Sequence, residues 1–146
     1  MIRTEAAPTT STTERPSQRQ RRVGLVLTAL VGLFLAFDVV VHLLRIDAVV
    51  DSFAKLGFPL SVAIPIGLLE LVCLVLYLVP RTSVLGAILL TGYLGGAMSA
   101  QVRIDAPLVS TLLFPVYVGI VVWAGLYLRQ PRLRALVPLR RDHDAA

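Results

Sequence analysis

The chain has 146 residues, 56% of them hydrophobic and 16% charged, with a mean hydropathy of +0.79. A soluble domain carries about a quarter charged residues, so the long uncharged runs here exclude an ordinary water-soluble globule and point to lipid as solvent. The net charge of +5 resides in arginines flanking the apolar runs, without aromatic interleaving or a groove-reading motif, so no nucleic-acid partner is expected.

Residues 1–21, rich in Thr, Ser, Pro, Arg and Gln, read as a disordered basic tail. No A-x-A-like cleavage site follows, so the tail is expected to be retained ahead of a signal anchor. The first apolar run, Val23 to Leu44, is interrupted only by Asp38 and His42. At 1.5 Å per residue it reaches ~33 Å, enough to cross a hydrocarbon core of ~30 Å. Ile46, Val49, Val50, Phe53 and Leu56 then recur at helical spacing, with Asp47, Asp51 and Lys55 on the other side and Asp51–Lys55 as an i,i+4 pair. Two readings stay open: a short amphipathic helix on the membrane surface, or an extension of the first span. Gly57 and Pro59 end it.

Further spans are expected at 58–79, closed by Pro80-Arg81, at 83–102 and at 108–128, with Pro107 in the first turn of the last. Pro65 and Pro115 fall inside apolar runs and are expected to bend their helices. Transmembrane strands need only ~10 residues of alternating polarity, and these runs do not alternate. The expected fold is all-α: a four-helix membrane bundle over 22–129, followed by a cytoplasmic tail at 130–146. Counting Lys and Arg gives eleven in the tails and the 2–3 connection against three (Arg45, Lys55, Arg103) in the other two loops. That places both termini in the cytoplasm of a multi-pass cell-membrane protein.

Lipid gives helices no hydrophobic push together, so close packing needs small residues. Gly92, Gly96 and Ala100 supply such a stripe, with Gly95 and Ser99 beside it, so the third span is expected to be the tightly packed centre, and the G-x-x-x-G motif offers a homodimer contact.

An ionisable side chain in a span costs at least ~2.5–3.5 kcal/mol, so it normally faces the bundle interior and has a partner. Three lie well inside: Asp38 and His42, four apart on one helix face, and Glu70. Glu70 shares a stripe with Ala63, Gly67, Cys73 and Tyr77, and the third span has a comparable stripe of Tyr93, Ala97 and Gln101. Both stripes should face protein. The polar groups collect from mid-membrane outward, which suggests a pocket open to the outer side. Its candidate lining is Gly67, Cys73, Tyr77, Tyr93, Ala97, Gln101 and Arg103, with Glu70, His42 and Asp38 as candidate acid, base and relay groups. The structural alternative is a set of locking pairs: Asp38 with His42 or Arg103, and Glu70 with Tyr93. Counted from the span ends, Asp38 is ~9 Å deep and Glu70 ~18 Å. One histidine and two carboxylates at different depths make a weak ligand set, so no metal is expected. The single cysteine, Cys73, excludes dithiol chemistry.

The stretches Leu56-Gly57-Phe58-Pro59, Gly67-Leu68-Leu69-Glu70-Leu71, Leu78-Val79-Pro80-Arg81, Thr91-Gly92-Tyr93-Leu94-Gly95-Gly96-Ala97, Gln101-Val102-Arg103 and Trp123 to Arg129 with Arg132 occur in this order over 24–138. Together they resemble the DoxX-like membrane proteins. The resemblance implies a four-helix membrane bundle. The family's name derives from a subunit of a thiosulfate:quinone oxidoreductase, and some relatives are linked to redox stress, which implies a quinone or redox partner. Where many relatives end the third span with a histidine, this chain has Gln101, an amide that cannot titrate.

Two functions follow as expectations. The first is a small membrane accessory or redox-associated subunit without a cofactor of its own, partnered by a redox protein or a second copy. The alternative is an enzyme or binding protein for a lipophilic molecule of the quinone or isoprenoid class, using Glu70. Whether the chain is an enzyme is left open. A transporter is disfavoured, because four spans without an internal repeat give little sign of alternating access.

Overall fold

The computed structural model describes residues 17–136. Among the described residues six α-helices follow one another: α1 (Gln18–Leu44), α2 (Asp47–Leu56), α3 (Ala63–Leu78), α4 (Ser83–Val102), α5 (Phe114–Arg129) and the short α6 (Pro131–Leu136). A single 3-10 turn (Leu60–Val62) leads into α3, and a π-helical turn (Leu108–Leu112) leads towards α5. Four segments are long and apolar enough to cross a membrane: Gln18–Leu44, Leu60–Leu78, Ser83–Val102 and Leu108–Arg129. The expected tail at 1–21 lies outside the described residues as far as position 16, as do residues 137–146 of the C-terminal tail. From Ser17 onward the chain departs from that expectation. Ser17 accepts from the Gln20 backbone N–H while the Gln20 side chain accepts from the Ser17 N–H, a capping box that starts α1 at Gln18 rather than Val23.

The four long helices form a ring. α1 packs on α3 and α5, α4 packs on the same two, and the diagonal pairs barely touch. The outside of the ring is as apolar as its core: Leu33, Phe37 and Ile120 are each more than 60% exposed. Water would penalise such a surface, whereas hydrocarbon solvates it. One end of the bundle carries the described start of α1 and the end of α5; the other carries α2.

At the α2 end, Arg45 adopts the left-handed conformation (φ 50°) and stops α1, so α2 is a separate helix and not an extension of the first span. Gly57 (φ 71°), where a side chain would be strained, ends α2. Val49 and Phe53 of α2 are buried against Ala63, Val41, Phe58 and Ile66, while Ile46 and Val50 of the same apolar face remain exposed. The prolines break helices rather than bend them. Pro65 falls in the first turn of α3 directly after the 3-10 turn, Pro115 falls in the first turn of α5 after the π turn, and Pro107 precedes that π turn. Proline's missing N–H is harmless in a first turn, so the sequence uses it where the helix is already interrupted.

The closest helix approaches are not on α4's small stripe. A Cβ added to Gly92, Gly95 or Gly96 would meet nothing within 4 Å. At Gly86 it would run into the backbone of α3 at Leu76 and Tyr77, and at Gly24 it would lie 2.9 Å from Arg129 N and Gly125 O. The tight seams are therefore α4 on the end of α3, and α1 on α5, in the half nearer the termini. Tyr77 completes that half: it is fully buried, and its hydroxyl donates to the Val122 carbonyl (3.0 Å). Arg129 donates to the Tyr77 carbonyl (2.9 Å), with its guanidinium 5.1 Å from the ring centroid.

Gly86→Ala is expected to destabilise by ~1–3 kcal/mol through overpacking, while Gly92→Ala and Gly96→Ala should be neutral or stabilising by up to ~1 kcal/mol through helix propensity. Thermal melts of the detergent-solubilised variants, followed by size exclusion, check the order.

A candidate intramembrane site

A cavity of about 870 Å³ occupies the α2 half of the bundle and draws lining from all four spans and from α2. The stripe Gly92, Gly96, Ala97 and Ala100 lines it, together with Tyr93 and Gln101. The missing side chains on α4 thus create a hollow where sequence reasoning placed a packing seam.

Glu70 on α3 is fully buried and lines this cavity. Its stripe (Ala63, Gly67, Cys73, Tyr77) is buried as expected. Tyr93 from α4 donates to Glu70 Oε2 at 2.9 Å, whereas Oε1 is buried without a hydrogen-bond partner. On α1, His42 Nδ1 lies 2.9 Å from the Asp38 carbonyl oxygen and 3.5 Å from Asp38 Oδ2. The ring of His42 stands edge-on to Phe53 of α2, with centroids 6.0 Å apart.

The two carboxylates and the imidazole meet. One ligating atom from each of Asp38, His42 and Glu70 lies within 4.8 Å of the others. The separation in depth expected from sequence is therefore corrected. That count began at Phe58, whereas the spanning segment begins at Leu60 and α3 at Ala63, and the contact itself brings Glu70 level with Asp38. Gly67 lets the helices close up, since a Cβ there would be 3.0 Å from His42 Cβ.

Of the candidate lining residues, Tyr93, Ala97 and Gln101 line the cavity, as do Asp38, His42 and Glu70. Cys73 and Tyr77 belong to the packed core instead, and Gly67 to the α1–α3 contact. Arg103 does not pair with Asp38; its guanidinium lies 5.6 Å from the Phe58 ring centroid. Among the described residues, Asp38–His42 is the one contact within 4.0 Å between an acidic and a basic side chain, so Asp51 and Lys55 are not joined. Residues missed from sequence are the cavity faces of α2 (Val49, Ser52, Phe53), Ser110 and Thr111 on the π turn, and the edge-to-face pair Phe34–Phe114, with centroids 5.5 Å apart. The apolar face of α2 and the hydroxyl pair inside an apolar run were the available signals.

Such a site can hold a polar group by hydrogen bonds at the Glu70–Tyr93–His42 wall while packing an apolar body against aromatic and aliphatic side chains. Tyr93→Phe would leave both Glu70 oxygens without a protein hydrogen bond. It should cost ~1–3 kcal/mol of stability, and the double variant with Glu70→Leu should recover part of that loss. Melting temperatures of the three variants in one detergent test this. The model of the DoxX-like family matches residues 26–125. No curated protein and no solved structure matches the chain.

Proposed function

The chain belongs to the DoxX-like family, and on that premise we propose that it binds a lipophilic small molecule with a polar head, of the quinone or isoprenoid class, inside the membrane bundle. The observation that carries the proposal is the cavity of about 870 Å³ with a fully buried carboxylate on its wall. Ligand sites of ~300–1,000 Å³ with mostly apolar walls and a few convergent polar groups are what such molecules need. Glu70, oriented by Tyr93, is the candidate acid or base for the head group, and His42 the candidate proton relay. Gln101 offers an amide to a carbonyl or hydroxyl but cannot exchange a proton.

The arginine count favours both termini in the cytoplasm. The α2 end then faces outward, and the cavity serves the outer leaflet, with α2 lying across its mouth in the interfacial zone. A second reading, a small accessory or redox-associated subunit, draws support from an apolar groove between α4 and α5. It has a volume of about 800 Å³, is lined by Gly95, Met98, Gly119 and Ile120 among others, and could seat a partner helix.

The two readings separate experimentally. Extraction and mass spectrometry of the purified protein should find one dominant lipophilic species near one per chain. Gly96→Leu, at a position lining the cavity where an added Cβ meets nothing within 4 Å, should reduce it at least tenfold while leaving the membrane level unchanged. A ligand-free wild-type chain that co-purifies with a protein partner, and whose Glu70→Gln variant behaves normally, would favour the accessory role.

A further inference from the structure

We propose that Asp38, His42 and Glu70 form a binding site for a first-row divalent cation in the Mn²⁺ to Zn²⁺ range, set in the wall of the cavity; this rests on reading the cavity as a ligand site. Three observations converge. The three ligating atoms lie within 4.8 Å of one another, on two helices held together at Gly67. Glu70 is 0% exposed, yet its Oε1 has no hydrogen-bond partner. The Arg103 guanidinium is turned onto Phe58, so among the described residues no arginine answers the carboxylates.

The donor set fits a borderline cation. One imidazole nitrogen and two carboxylate oxygens are ligands shared by manganese, iron and zinc. Three protein ligands are also what metal sites with a vacant position for water or substrate use. His42 Nδ1 is occupied at 2.9 Å by the Asp38 carbonyl. His42 offers one of its two ring nitrogens as ligand, and the Nδ1 contact with the Asp38 carbonyl holds the ring beside the carboxylates. Bonds of ~2.1 Å require ligand atoms ~3.4 Å apart. Asp38 is the member that can close the gap, since its side chain is 34% exposed while the Glu70 side chain is locked by Tyr93. The charge also balances: two ionised carboxylates and a neutral imidazole carry −2, and a dication brings the trio to zero inside a low-dielectric bundle. The ion's remaining positions would face the cavity, where an oxygen of the polar head could bind.

The test uses the full chain in lipid nanodiscs, without a histidine tag and with His143→Ala, because the tail segment Asp142-His143-Asp144 is itself a ligand-like cluster. Co²⁺ is the probe, followed by visible absorption. One Co²⁺ per chain is expected, displaced by Zn²⁺. His42→Ala and Glu70→Gln should each weaken binding at least tenfold, while Gln101→Ala, which alters the cavity but not the trio, should leave it intact. Circular dichroism and elution volume certify that the variants are folded. A background chain that gives no Co²⁺ band overturns the proposal whatever the variants do, and so does a band unchanged in a folded His42→Ala. Extraction of the same samples keeps the two ideas apart. Metal without a lipophilic ligand upholds this site and counts against the cavity reading; ligand without metal does the reverse.

Discussion

Hydrocarbon provides no hydrogen bond, so a carboxylate carried into it must be answered by the protein. Glu70 imposes that constraint on the whole bundle. Tyr93 of α4 meets one of its oxygens, and α1 is drawn close enough, through the bare backbone of Gly67, to bring Asp38 and His42 beside it. Three of the four spans are thereby tied to one side chain. The fourth, α5, closes the ring without adding an ionisable group to the cavity.

The bundle consequently divides its labour by depth. In the half nearer the termini the helices touch backbone to backbone at Gly24–Gly125 and Gly86–Tyr77, while Thr28 donates to the Gly24 carbonyl, the Tyr77 hydroxyl to the Val122 carbonyl and Arg129 to the Tyr77 carbonyl. Contacts of this kind are how helices associate in lipid, where apolar burial between them gains little. In the α2 half the same helices spread around a cavity, and the breaks needed there sit at Arg45, the turn before Ala63 and the turn before Phe114. Non-helical backbone at membrane depth is tolerated where protein or a cavity surrounds it.

The architecture was legible because a span's length and polarity are set by the bilayer. The four runs, the inward stripe around Glu70 and the Glu70–Tyr93 pair all appear in the structure, and of the two readings left open after the first run the separate amphipathic α2 is the one realised. What failed were inferences needing a partner's position. Glycines at i, i+4 on α4 read as a seam, but the same absence of side chains makes a hollow when no neighbour approaches. Depth read from run ends misplaced Glu70, because the run from Phe58 is not one continuous α-helix: a loop and a 3-10 turn precede Ala63. Of the two partners weighed for Asp38, His42 lies beside it, while the ring of Phe58 offers the Arg103 guanidinium a cation–π contact.

The hollow on α4 separates two properties that most cores keep fused. Cavity volume here is set by side chains that are absent, at positions that support no helix contact. A methyl group added at Gly92 or Gly96 changes the hollow's volume without meeting a neighbouring helix. The frame and the space it encloses are thus set by different residues.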